Sequence, residues 1–180
     1  MSHNTRSIYE GHIVRLGIES LVLPNGEPLE LEIVRHPGGA AIVALDEKDQ
    51  VCLLRQYRHA SGGWLWELPA GKLEPDEAPQ TTAKRELAEE AGVQAENWHK
   101  LGEIVTTPGF CDEVIHLFLA RGLIEVPAQP EAHELIEIHW LPFDEALEQI
   151  QDGTIRDAKT MLGLMLAGNT RGMISHAGTG

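Results

Sequence analysis

Through its first seventy residues the chain either alternates apolar with polar positions or runs apolar in short blocks, the two patterns of β-strands. Ile8 to Leu16 and Ile18 to Leu23 read as strands, closed by the turn signal Pro24-Asn25-Gly26. Leu29, Leu31 and Ile33 alternate with Glu30 and Glu32, predicting a half-buried strand that His36-Pro37-Gly38-Gly39 ends. Ala40 to Leu45 and Val51 to Tyr57 are continuous apolar blocks around a polar stretch, Asp46 to Gln50, which predicts a hairpin. Ser61-Gly62-Gly63 reads as a loop and Trp64 to Leu68 as a short strand; Pro69, Gly71 and Pro75 mark 69–77 as a loop.

The period then changes. From Ala78 to Ala91, Ala83, Leu87 and Ala91 recur at helical spacing, with Pro79 in the first turn and Gly92 as a stop. Strands resume at Lys100 to Thr106, Glu113 to Ala120 and Leu135 to Leu141. Helices are predicted over Phe143 to Gln151 and Ile155 to Ala167, the second capped by Thr154, with a Gly-rich frayed tail after it. Strands interleaved with and followed by helices predict an α+β layer fold.

Composition narrows the partners. Of 180 residues 42% are hydrophobic, enough for one well-formed core, and 14 Lys and Arg stand against 28 Asp and Glu, a formal charge of −14. Such a surface has no broad basic footprint, which speaks against bulk nucleic acid and against a basic membrane-surface protein. An anionic substrate would need divalent cations or a local Arg cluster. No apolar run approaches the length of a membrane helix, and no apolar stretch of a signal peptide follows the N-terminus, so a cytoplasmic protein is expected. Cys52 and Cys111 stand in neither a CxxC nor a metal spacing and read as reduced thiols. The nine His show no HExxH, and Gly62-Gly63 opens no phosphate loop. Trp64 and Trp66 share one strand face; base stacking is conceivable, but core packing is the expectation.

The chemistry concentrates in Gly71 to Val93. On the predicted helix Glu86, Glu89 and Glu90 share a face, while Ala83, Leu87 and Ala91 turn to the core. Three carboxylates on one face repel one another unless a cation compensates them, and an oxygen cluster of this kind suits Mg²⁺ or Mn²⁺. Arg85 can pair with Glu89 one turn on or reach back to Glu77. Gly71 lets the backbone approach the helix, bringing carbonyls such as that of Ala70 near the same cations.

Gly71, Glu77, Arg85, Glu86, Leu87, Glu89, Glu90, Gly92 and Val93 fill every fixed position of the Nudix box, G-x5-E-x7-R-E-U-x-E-E-x-G-U with U apolar, and the chain resembles the Nudix hydrolases. Pro24-Asn25-Gly26, Glu32 to Gly38, Gln56-Tyr57-Arg58, Glu67 to Gly71, Thr107 to Phe110 and Asp157-Ala158-Lys159-Thr160 look like the ADP-ribose (ADP-sugar) pyrophosphatase branch, as does Pro108, 15 residues after the box. The resemblance spans roughly residues 8 to 167. It implies an α/β/α sandwich around a mixed sheet, with residues 1–39 as an N-terminal β segment for dimerisation and substrate contact, 40–168 as the Nudix domain, and 169–180 as a flexible tail.

The activity implied is metal-dependent hydrolysis of the diphosphate of ADP-ribose or a related ADP-sugar to AMP and a sugar phosphate. GDP-mannose, FAD or NADH are alternative substrates. A ligand-sensing regulator on the same fold is a remote one, since regulators usually lose box carboxylates. By the same resemblance the metal ligands are Glu86, Glu90, the Ala70 carbonyl and, less firmly, Glu89, with Mg²⁺ or Mn²⁺ as cofactor. Substrate contacts fall to Arg58, Glu32, Arg35, Lys72 and Glu113. Glu67 is left open between a residue facing the metals and a strand-end charge. A homodimer is implied.

The general base is expected at Glu134, in a loop before a late strand, with Glu89 the next candidate. Strand parity favours Glu134, because it shares its side with Ile136, Ile138 and Trp140 while Glu137 lies opposite. Glu131 stands further out, and His133 reads as a loop residue.

Overall fold

A computed structural model describes residues 4–129 and 134–174. Strands β1 (Asn4–Glu10), β2 (Arg15–Val22) and β3 (Pro28–Arg35) form an antiparallel sheet of their own. The stretch expected as one strand from Ile8 to Leu16 folds back on itself, since the Gly11 N–H donates to the Val14 carbonyl at 2.9 Å and β1 returns as β2.

Next come β4 (Gly39–Ala44), β5 (Gln50–Arg58), a 3₁₀ turn (His59–Ser61), β6 (Gly63–Glu67) and β7 (Ala70–Lys72). Helix α1 (Pro79–Ala91), β8 (Val93–Val105), β9 (Val114–Glu125), β10 (Ile136–Pro142), α2 (Phe143–Gln151) and α3 (Ala158–Ile174) follow. One mixed sheet has the order β7-β4-β9-β8, with β4 and β9 parallel; a second has the order β10-β5-β6.

The expected hairpin between the two apolar blocks does not form. After a single bridge, Leu45 to Val51, β4 and β5 part into different sheets. Each is buried on both faces, so each needs neighbours that one hairpin cannot supply. Along β4, Ala41 and Val43 pack with Leu117, Leu119, Phe143, Leu164 and Ala167, on the side of α2 and α3. Ala40, Ile42 and Ala44 pack with Leu54, Ala83, Leu87 and Phe118, on the side of α1. The period-2 alternation of one strand thus seats helices on both faces, the α/β/α arrangement expected.

Helix α1 lies where the sequence put it, with Pro79 at its first position and Gly92 left-handed at φ 65°. Helix α3 differs. Thr154 does not cap it, for its N–H turns to Asp152 at 2.8 Å. Asp157 caps instead, its carboxylate accepting the Thr160 N–H at 3.0 Å and hydroxyl at 2.6 Å. The helix also passes the expected end at Ala167 and reaches Ile174; Gly168, expected to open a frayed tail, lies within it against Phe143. Residues 175–180 lie outside the described residues. Among the described residues no helix is long and apolar enough to cross a membrane.

Candidate active site

The site grows from the seating of α1. Its apolar stripe, Ala83, Leu87 and Ala91, is buried against β4, β5 and β9, which turns Glu86 and Glu90 toward β7. Glu90 is only 2% exposed, and its Oε2 accepts the Ala70 N–H at 2.8 Å. N–H and C=O of one strand residue point to the same edge, so the Ala70 carbonyl also faces away from β4. Gly71 stands so close that a Cβ there would run into the Glu86 carboxylate. Only glycine leaves Glu86 its place.

Arg85 ties the loop to the helix in both of the ways its position allows. It donates to Glu77 at 3.1 and 3.3 Å, to Glu86 at 2.7 Å, to Glu89 at 3.2 Å and to the Lys72 carbonyl at 3.3 Å. Glu77 also accepts the Thr82 hydroxyl at 2.8 Å, and its hydrogen bonds from Arg85 hold its carboxyl below the usual range.

Glu86 and Glu90 behave oppositely to Glu77. Burial pushes the Glu90 carboxyl up to about 8; the Ala70 amide and Arg58 oppose the rise, while the charges of Glu86 and Glu134 add to it. Glu86 is raised too, by burial first, against Arg85 and with help from Glu89 and Glu134. A buried carboxylate, a half-buried one beside it and a third nearby share one ion-paired arginine, Arg85, among them, an arrangement a hard cation would relieve. Among the described residues no three His, Cys, Asp or Glu side chains stand together as a finished metal centre. The donors nonetheless fit Mg²⁺ or Mn²⁺ in kind: all are oxygens, two of them are carboxylates whose charged form burial disfavours, and glycine at 71 leaves the Glu86 carboxylate room against the backbone.

Glu134 precedes β10 and is near enough to Glu86 and Glu90 for its charge to act on both. Ile136 and Trp140 of that strand pack into the α1 core. Glu137, on the opposite face, meets Arg55 at 3.3 Å. Glu131 and His133 lie outside the described residues.

Of the expected substrate contacts, Arg35 and Lys72 line a cleft of about 550 Å³ together with Arg85, Glu86, His36 and Asp112. Arg35 is held by Glu19 and, at 3.0 Å, by Asp112. Glu113 accepts the Thr106 hydroxyl at 2.8 Å and lies 3.3 Å from His36. Glu32 is exposed on β3 opposite Ile18 and does not line this cleft.

Arg58 is engaged by a partner that sequence reasoning left open. Glu67, 2% exposed, accepts Arg58 Nε at 2.9 Å, Arg58 Nη2 at 3.0 Å and Lys159 Nζ at 2.6 Å. Burial works against its ionisation, but the two cations outweigh that and hold its carboxyl below the usual range. Lys159 also meets Asp157 at 3.0 Å, and the Leu68 N–H donates to the Thr160 hydroxyl at 2.8 Å. The motif Asp157 to Thr160 and the Glu67 before the box were both visible as markers; their mutual contact was not. Trp66 packs beside the core and meets His139 edge-on, whereas Trp64 is 40% exposed and lies under Arg55, so core packing holds for one of the two.

The NUDIX domain family matches residues 35–163. The chain is 41% identical over 160 residues to the "Methanol dehydrogenase activator" of Bacillus methanolicus, covering 88% of this chain and 86% of that protein. It is 37% identical over 155 residues to the "ADP-ribose pyrophosphatase" of Bacillus subtilis (strain 168), covering 85% and 84%. A solved structure described as "Crystal structure of ADP compounds hydrolase" superposes with a TM-score of 0.80 at 19% identity, over 97% of this chain and 94% of that one, a likeness of fold.

Proposed function

The chain belongs to the Nudix family, and from that membership we propose that it hydrolyses the diphosphate of ADP-ribose or a related ADP-sugar to AMP and a sugar phosphate. The observation that carries this reading is the complete set of box carboxylates, with Glu86 and Glu90 set against the Ala70–Gly71 backbone. A ligand-sensing regulator has no need of such a set. Glu86, Glu90 and the Ala70 carbonyl, with Glu89 outside them, would hold Mg²⁺ or Mn²⁺. When bound, such ions neutralise the charge that develops on the diphosphate oxygens and make water more acidic. Glu134 accepts the proton of the attacking water at its carboxylate. Arg58, Arg35 and Lys72 supply positive charge to the phosphates, a need made sharper by the net charge of −14. Glu113 supports the same cleft through His36.

Residues 1–39 act as a dimerisation and substrate segment on a Nudix domain of 40–168. The β1–β3 sheet meets the rest chiefly at Val34, through the Cys111 bridge, and at Arg35 and His36, through Asp112. It leaves Ile8, Tyr9, Ile13 and Val22 exposed, apolar side chains that a second copy of this chain would cover. Light scattering at micromolar concentration is expected to find a homodimer, and deletion of residues 1–36 to give monomers or insoluble protein. A monomeric intact protein would rule out sites shared between subunits. Cys52 is buried and Cys111 partly so, both free, which supports a reducing, cytoplasmic setting.

The test of the reaction is a panel of ADP-ribose, other ADP-sugars, GDP-mannose, FAD and NADH with Mg²⁺ or Mn²⁺ in ¹⁸O-water. ADP-ribose is expected to give AMP and ribose 5-phosphate, the label marking the phosphorus attacked. Hydrolysis of another member with no AMP from ADP-ribose would overturn the substrate assignment; no hydrolysis of any member would overturn the reaction.

A further inference from the structure

Arg58 sits at the end of a chain of ionic contacts that begins at the N-terminus of α3. Its Nε and Nη2 are both committed to Glu67, while Nη1 makes no hydrogen bond among the described residues, and the side chain is 41% exposed. Its charge reaches Glu90. A buried carboxylate that accepts from several donors has its orientation fixed, and with it the orientation of each donor. Here Glu67 has a second cation, Lys159, on the same Oε2 that Arg58 Nη2 uses. Lys159 is itself only 14% exposed and is oriented by Asp157, the residue that caps α3. Thr160, next in sequence, is buried and accepts the N–H of Leu68, the neighbour of Glu67. The first turn of the last helix is thus fastened both to the backbone beside Glu67 and to its carboxylate.

We propose that Lys159 is a positioning residue for diphosphate binding: through Glu67 it fixes the Arg58 fork and keeps its free Nη1 edge available to a phosphate oxygen. The inference rests on the reading that the substrate's diphosphate is taken beside the box carboxylates. Lys159 touches neither reacting atoms nor box residues, so its effect must pass through Arg58. Arginine in its place can still donate to Glu67 and keep the charge; methionine fills the same space and does neither.

The experiment is a double-mutant cycle read in KM and kcat, with a spectroscopic check on the guanidinium. Arg58→Ala is expected to lower kcat/KM for ADP-ribose by about 30-fold, the loss of one charged phosphate contact. Lys159→Met is expected to raise KM about tenfold with kcat changed much less, and Lys159→Arg to restore most of it. Lys159→Met combined with Arg58→Ala is expected to be no worse than Arg58→Ala alone. In ¹H–¹⁵N spectra the Arg58 Nε–H signal is expected to be sharp and protected in the wild type and in Lys159→Arg, and broadened in Lys159→Met. A wild-type KM in Lys159→Met, losses that multiply in the double variant, or an unchanged Nε–H signal would each overturn the inference. If the wild type fails on ADP-ribose, that failure belongs to the substrate reading. The cycle then runs on whichever panel diphosphate is hydrolysed, and the Nε–H signal decides the inference without any substrate.

Discussion

Glu134→Gln is expected to lower kcat by about 10² to 10⁴-fold at saturating Mg²⁺, with KM little changed, the usual contribution of a general base. Three observations lead there. The box carboxylates are committed, Glu90 to the Ala70 amide and Glu86 and Glu89 to Arg85, and all three are candidates to hold metal. Glu134 lies close enough for its charge to raise both Glu86 and Glu90. Ile136 and Trp140 of the strand that follows it pack into the α1 core, which brings the start of that strand beside the box helix. Glu137, bound to Arg55 across the sheet, is the matched control, and Glu137→Gln is expected to do far less. Glu131→Gln completes the set. Wild-type kcat in Glu134→Gln would move the base elsewhere, with Glu89 next in line.

Glu90→Gln and Glu86→Gln are each expected to reduce turnover by more than about 10²-fold, since even the outer partners of a metal cost about 10- to 100-fold when removed. The fold is expected to survive, because in Glu90→Gln the neutral side-chain amide oxygen can still accept the Ala70 N–H, and both changes relieve repulsion. The same electrostatics set a pH signature for metal-free protein. Glu90 keeps its proton in the folded chain up to about 8, but in the unfolded chain only to the ordinary carboxylate range near 4.5. Between those values the folded state binds more protons than the unfolded one, so stability falls as pH rises through this window. Melting in EDTA is therefore expected at lower temperature at pH 8 than at pH 5.5 on account of this group, and Glu90→Gln to flatten the difference. Added Mg²⁺ is expected to raise the melting temperature most at pH 8 in the wild type and little in the variant. Near-normal activity of either variant would remove the helix from the catalytic machinery.

Much of this site is local, and what is local was legible. A helix announces its face by spacing, so Glu86, Glu89 and Glu90 could be placed together before any coordinates, and Pro79 and Gly92 fixed the ends of α1. Helix α2 runs from Phe143 to Gln151 as its pattern indicates. What escaped depends on residues far apart. The apolar blocks at 40–45 and 51–57 look like a hairpin because periodicity records burial without naming the neighbour, and each found its partners elsewhere, β4 in β9 and β5 in β10. The cap of α3 went to Thr154 by residue type, though Asp157 performs it, and Lys159 two residues on meets Glu67, 92 positions away. Glu67 could not be resolved from sequence at all, since a buried carboxylate and an exposed strand-end charge are spelled alike, and only the two cations around it tell them apart.

The hydrogen bond from Leu68 to Thr160 joins residues 92 positions apart, and the parallel pairing of β4 with β9 sets Ala41 against Leu117. Contacts of such span form late, because the loop they close must be ordered before any gain is felt. During synthesis, the box helix emerges after β4 and β5 but before β9, which completes its seat. A ribosome that has released residue 93 has exposed every box residue, yet the strand beside β4 and the helix that steadies Glu67 are still to come. The other face of β4, Ala41 and Val43, waits through that interval for Leu117, Leu119, Phe143 and Leu164, an exposed apolar surface of the kind that invites aggregation or a chaperone.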